Sequence, residues 1–139
     1  MANGVIYANP DSSFWFADIH INSIGGLDNL DTSKVTNMQG MFMKYPRRGI
    51  VDTYILGIEH LNTRNVTDMS YMFANRNEIR MISVGDNWDT SKVTKSAYMF
   101  DGCGSLHGPY GTGYDRNHID IEYARLDSES VPGYLTLGK

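Results

Sequence analysis

The chain has 139 residues, 41% hydrophobic and 20% charged, with a net charge of -4. That is enough for one domain with its own core, outside the disordered range, and too acidic for nucleic acid or an anionic membrane as main partner. No apolar run reaches the ~20 residues of a membrane span, and the lone Cys103 excludes a disulfide framework and a multi-cysteine zinc site.

The four histidines, His20, His60, His107 and His118, lack ligand-like spacing, so neither a metal nor a cofactor is expected. The first residues carry no basic stretch followed by an apolar one, hence no signal peptide. This leaves open a cytoplasmic protein and a piece of a longer exported chain.

A single repeat domain is expected over 1–139, divided into an N-terminal half-repeat (1–26), repeats (27–107) and a C-terminal cap (108–139). In the first part Phe14–Phe16 read as the tail of a degenerate repeat, with Ile19, Ile21 and Ile24 as its strand. Leu30–Phe42 then recurs as Leu61–Phe73 and Trp88–Phe100, with Thr32, Thr63 and Thr90 spaced by 31 and 27 residues. Each copy reads Asp/Asn-Thr-x-x-Val-Thr, then a Met/Phe-rich stretch.

Within a copy, Met38, Met41 and Phe42, or Met69, Met72 and Phe73, fall at helical spacing. The spacing predicts a short helix after Thr36, Thr67 and Thr94, each hydroxyl acting as its N-cap. In the third copy Ser96 replaces the first methionine, which implies a looser or more exposed end. Thr53–Ile58 and Arg80–Val84 are β-branched and bounded by Gly57 and Gly85, which predicts one strand ahead of each motif. Ile119, Ile121 and Tyr123, with Tyr134, Leu135 and Leu137, predict a terminal β-hairpin covering the last repeat, since an open end of such an array exposes its core.

One strand and one short helix per unit define the expected fold: α/β, a short leucine-rich-repeat-like solenoid with a C-terminal β-hairpin cap. The irregular piece is Met43–Gly49, a surplus between the first two copies; insertions in such arrays map to loops on one face.

The Asp-Thr-Ser-x-Val-Thr-x-Met-x-x-Met-Phe motif resembles the repeat of BspA-like bacterial surface proteins, a variant of the leucine-rich repeat. Phe100–Leu106, with Cys103, is similar to that family's link between repeats, and Tyr123–Asp127 with Pro132–Tyr134 resembles its closing segment. The resemblance implies scaffold repeats without catalytic residues. It further implies adhesion to a protein or glycan on a host or neighbouring cell, and a cell-surface or secreted location as a fragment of a longer exported protein.

Cys103 as a nucleophile would need a base, and its family-like setting makes it a packing residue instead. The Asp31/Asn62/Asp89 column and Asp115–Asp120 fit turn capping better than metal binding. Asn65-Val-Thr matches a glycosylation sequon only because Val66 and Thr67 belong to the motif. The methionine stripe reads as core. Tyr71 and Tyr98 hold equivalent places, either as an outer ladder or partly buried, with Gly40 at that place in the first copy.

Lys44, Tyr45, Arg47 and Arg48 form the one dense cationic cluster, in the inserted loop, and are the candidate binding residues for an acidic partner. The function expected is a non-enzymatic binding or adhesion module with no nucleic-acid partner, no membrane insertion and no cofactor. The alternative is a structural or assembly subunit of a virion or filament surface.

Overall fold

The computed structural model describes residues 5–18, 23–45 and 54–138. Six short strands are present among the described residues: β1 (Ile6–Tyr7), β2 (Ser23–Ile24), β3 (Leu30–Asp31), β4 (Tyr54–Ile55), β5 (Ile82–Val84) and β6 (Leu135–Leu137). The same residues hold three single-turn 3-10 helices, at Leu27–Asn29, Ile58–His60 and Ile121–Tyr123. The other described residues alternate between turns and extended connections, and successive motif copies lie on one another in parallel. Bridges run from Asp11 to Asn37, from Asn37 to Asp68 and from Asp68 to Lys95.

The repeated polar residues explain the stacking. The Thr32 hydroxyl is buried, donates to the Asn62 carbonyl (3.0 Å) and accepts from the Asn62 N–H (2.8 Å). Thr63 repeats the arrangement on Asp89, at 2.9 and 2.6 Å. One buried hydroxyl thus satisfies both backbone groups of a residue in the next coil, groups that would be costly to bury unpaired. Asp31, Asn62 and Asp89 each accept from the N–H two residues on, closing a tight turn.

No α-helix occurs among the described residues, so the helices expected after Thr36, Thr67 and Thr94 are replaced by linked turns. Two causes are visible. First, Gly40, Tyr71 and Tyr98 take left-handed backbone angles (φ 58°, 58° and 59°), and Phe14 does the same (φ 56°), which interrupts a right-handed helix in every copy. Second, alternate N–H groups point to the neighbouring coil: Met38 donates to Asp68, Gly40 to Ser70 and Phe42 to Met72. Met69, Tyr71 and Phe73 donate likewise to Lys95, Ala97 and Met99. The three threonine hydroxyls therefore cap nothing. They donate to the coil before, Thr36 to Pro10, Thr67 to Thr36 and Thr94 to Thr67, at 3.4, 3.2 and 3.4 Å.

The core is a column of rings filled in by methionine. Phe16, Phe42, Phe73 and Phe100 stack at centroid separations of 5.6, 5.7 and 5.9 Å. Val35, Val66, Met38, Met41, Met69, Met72 and Met99 are fully buried around them. Each such side chain contributes roughly 1.5–3 kcal/mol of burial free energy. Phe16 continues the column, so the aromatic N-terminal segment stands as a partial copy of the repeat. At that end Trp15 stacks on Phe16 at 5.0 Å; at the other, Tyr134 meets Phe100 edge-on at 5.2 Å. Ser12 and Ser96 hold the places of Met38 and Met69 in the two outermost coils.

The strands pair in parallel, β1 with β3, β2 with β4 and β5 with β6. Gly26 and Gly57 sit in left-handed conformations ahead of the first two 3-10 turns. The expected C-terminal hairpin is not formed. Leu135–Leu137 pairs with Ile82–Val84 instead, and Ile121–Tyr123 is a 3-10 turn whose Glu122 N–H is capped by the Asp120 side chain. The tail still covers the last coil: Phe100 donates to the Ile119 carbonyl, and the buried Tyr134 hydroxyl donates to the His118 carbonyl. The strand residues Ile19, Ile21 and Thr53 of the expectation lie outside the described residues.

Candidate binding surface

Two surfaces merit comparison, the inserted loop and the outer edge of the stacked turns. In the loop, Lys44 is only 9% exposed and its ammonium lies 3.6 Å from Glu78. It is therefore placed as an internal partner, not as a cation presented to solvent. Glu78 also meets the Arg76 guanidinium at 3.4 Å, and Arg76 is buried with its Nε donating to the Phe42 carbonyl. Tyr45 is exposed, with its N–H 3.4 Å from an Asp18 carboxylate oxygen. Arg47 and Arg48 lie outside the described residues, so of the four candidates only Lys44 and Tyr45 are placed.

Arg76 and Cys103 hold the same place, three residues after the column phenylalanine. Each donates to the ring residue's carbonyl one coil back, Arg76 to Phe42 (2.6 Å) and Cys103 to Phe73 (3.1 Å). Burial pushes the Cys103 thiol up to about 12, far from a nucleophile's range. Hydrogen bonds from Ser13, Ser33 and Ser91 hold Asp11, Asp31 and Asp89 below the usual carboxylate value, in keeping with turn capping. Asp115 accepts from the Asn117 N–H in the same manner. The Asn65 amide joins coils, donating to the Ser33 carbonyl and accepting from Lys92.

The outer edge carries a second aromatic column. Tyr71 and Tyr98 stack at 5.2 Å with ring planes 25° apart, yet remain 37% and 49% exposed. The left-handed backbone at these residues turns the side chains away from the phenylalanine column. In the first copy a Cβ at Gly40 would run into the Phe14 ring, so Phe14, itself exposed, fills the space a side chain there would need. Gly40 standing in the Tyr71/Tyr98 column was the sequence signal for this geometry, since glycine is the residue most tolerant of positive φ. Asn37, Asp68 and Lys95 flank the column as an exposed or half-exposed polar row.

Among the described residues no helix is long and apolar enough to cross a membrane, and no three His, Cys, Asp or Glu side chains group where they could hold a metal ion. No curated protein and no solved structure matches the chain. A family model does match, over residues 11–124, a span that runs from the first bridging residue, Asp11, to Ala124 beneath Trp88. The chain belongs to the family described as Mycoplasma protein of unknown function, DUF285.

Proposed function

We propose that the chain is a non-enzymatic binding module of a bacterial cell-surface protein, a short solenoid of the BspA-like, leucine-rich-repeat type that adheres to a protein or glycan. The observation that carries this reading is the outward Tyr71–Tyr98 column: aromatic rings brought together by the coil-to-coil backbone hydrogen bonds, yet left in contact with solvent. Exposed aromatic surface on a rigid scaffold is where recognition concentrates, because little conformational entropy is lost on binding. The buried Cys103 thiol, held protonated by burial and donating to the Phe73 carbonyl, supports a scaffold role for the repeats. Tyr45, together with Arg47 and Arg48, is a second contact point in this reading.

End-to-end assembly, as in a filament subunit, is disfavoured by the capped ends of the phenylalanine column. Trp15 and Tyr134 close the phenylalanine column, and Pro10 has no N–H to give where Thr36, Thr67 and Thr94 each donate to the coil before.

The test is adhesion of the purified chain to immobilised matrix proteins and to host cells, with a Tyr71→Ala/Tyr98→Ala variant and an Arg47→Ser/Arg48→Ser variant alongside. The reading expects saturable adhesion to at least one surface, weakened by one or both variants. Adhesion to none, or adhesion indifferent to both, overturns it.

A further inference from the structure

The two aromatic columns end differently. The inner one is closed at its C-terminal end by Tyr134 and at its N-terminal end by Trp15. The outer one stops at Tyr98: Tyr71 covers one face, and no ring among the described residues stacks on the other. The backbone ends in the same way. Met38, Gly40, Met69 and Tyr71 all donate their N–H groups to the next coil, whereas the equivalent N–H groups of Ser96 and Tyr98 have no acceptor among the described residues. The tail meets this edge at the Ser96 hydroxyl, which accepts from the Ile121 N–H at 3.3 Å, and takes up the backbone pairing at Phe100, which donates to Ile119.

Beside this open edge lies a shallow cleft of about 500 Å³ lined by Ser70, Thr94, Lys95, Ser96, Ala97 and Asp120. Its two charged groups are of opposite sign, and both are exposed.

We propose that the free face of Tyr98 and this cleft form a site for one neutral pyranose ring of a glycan, a proposal that rests on the binding-module reading above. A pyranose has an apolar face of C–H groups and a rim of hydroxyls that both donate and accept. The Tyr98 ring matches the face. The Ser96 and Tyr98 N–H groups and the Lys95 ammonium match hydroxyl acceptors, and the Asp120 carboxylate matches hydroxyl donors. A formal charge on the ligand finds no such match: an anion meets Asp120, and a cation meets Lys95. The Lys95, Ala97 and Met99 carbonyls accept from Met69, Tyr71 and Phe73, so the backbone that carries the Ser96 and Tyr98 N–H groups is already held and needs little reordering to bind, which favours a small ligand in a shallow site.

The experiment is saturation-transfer NMR on the full chain. The probes are the methyl glycosides of glucose, galactose, mannose and N-acetylglucosamine with their linear oligomers, and methyl N-acetylneuraminate glycoside as the anionic comparison. At least one neutral series should receive saturation at its ring C–H protons, with an affinity that changes little between low and high salt. Tyr98→Ala should weaken it about tenfold or more, while Tyr98→Phe keeps it and both variants unfold like the parent.

No transfer to any neutral probe, transfer unchanged in Tyr98→Ala, or transfer only to the anionic probe overturns the inference. If an unlabelled peptide and not a sugar displaces a bound host protein from this edge, the inference is overturned as well. A chain that adheres to host surfaces yet takes up none of the sugars sinks this inference alone, whereas one that adheres to nothing sinks the binding-module reading beneath it.

Discussion

Phe42 and Phe73, 31 residues apart in the chain, stack with their centroids 5.7 Å apart and their ring planes 11° from parallel. Neither ring is reached by solvent. Phe73 is also in contact with Phe100 on its other face, so it is the ring through which the coils on either side communicate.

Removing it opens a void that stacked coils cannot close from either side. Phe73→Ala is expected to cost about 3–5 kcal/mol, the usual range for a core phenylalanine. Exposed Tyr71→Ala should cost far less, within about 1 kcal/mol. Urea unfolding of the two variants checks this; equal midpoints would remove the distinction between the inner and the outer column.

The threonines separate in the same way. Thr63→Val leaves the Asp89 N–H and carbonyl without their buried partner and is expected to cost about 1–3 kcal/mol. Thr67 is exposed and makes one 3.2 Å bond to the Thr36 carbonyl, which water can replace. Thr67→Val is therefore expected to cost less than about 0.5 kcal/mol. Thermal melting of both variants decides; a larger loss at Thr67 would restore a capping role for that hydroxyl.

That reversal shows what was legible in the sequence. The repeat, its polar turn residues, the partial copy at Phe14–Phe16 and the burial of the methionines follow from residue columns alone. The helix did not, because Met38, Met41 and Phe42 fit a helical period while the hydrogen bonds that decide the matter run to a coil about thirty residues away. Only Gly40 hinted that its column needs a positive φ. The tail was misread for a similar reason. Ile119, Ile121 and Tyr123 alternate like a strand, but β6 finds its partner in Ile82–Val84, more than fifty residues back, and no local pattern encodes that pairing. At the binding surface, exposure of Tyr71 and Tyr98 and burial of Lys44 against Glu78 were both beyond the reach of composition.

The tail should also respond to acid. Asp127 is buried, which raises its pKa. Hydrogen bonds from the Thr112 hydroxyl and the Tyr110, Gly133 and Thr112 N–H groups outweigh this and hold the carboxyl below its usual value. A lowered folded-state pKa stabilises the fold above the unfolded carboxylate value, near 3.9, and that contribution fades as pH falls through the lower folded value. Asp127→Asn should lose about 1.5–3 kcal/mol at neutral pH, as expected for bonds to a charged acceptor. The gap to the parent should narrow below about pH 4. A gap that stays constant across that window would show that the carboxylate charge is not what holds the tail.

Amide hydrogen exchange in the native state tests the stacked ladder most directly, because it reads each N–H by name. The N–H groups of Met38, Gly40, Phe42, Met69, Tyr71 and Phe73, each donating to the next coil, should exchange only on global unfolding. Those of Ser96 and Tyr98, equivalent in sequence but without an acceptor, should exchange orders of magnitude faster. Uniform protection across Tyr71 and Tyr98, or rapid exchange at Met69, Tyr71 and Phe73, would contradict the ladder and the open edge at which it ends.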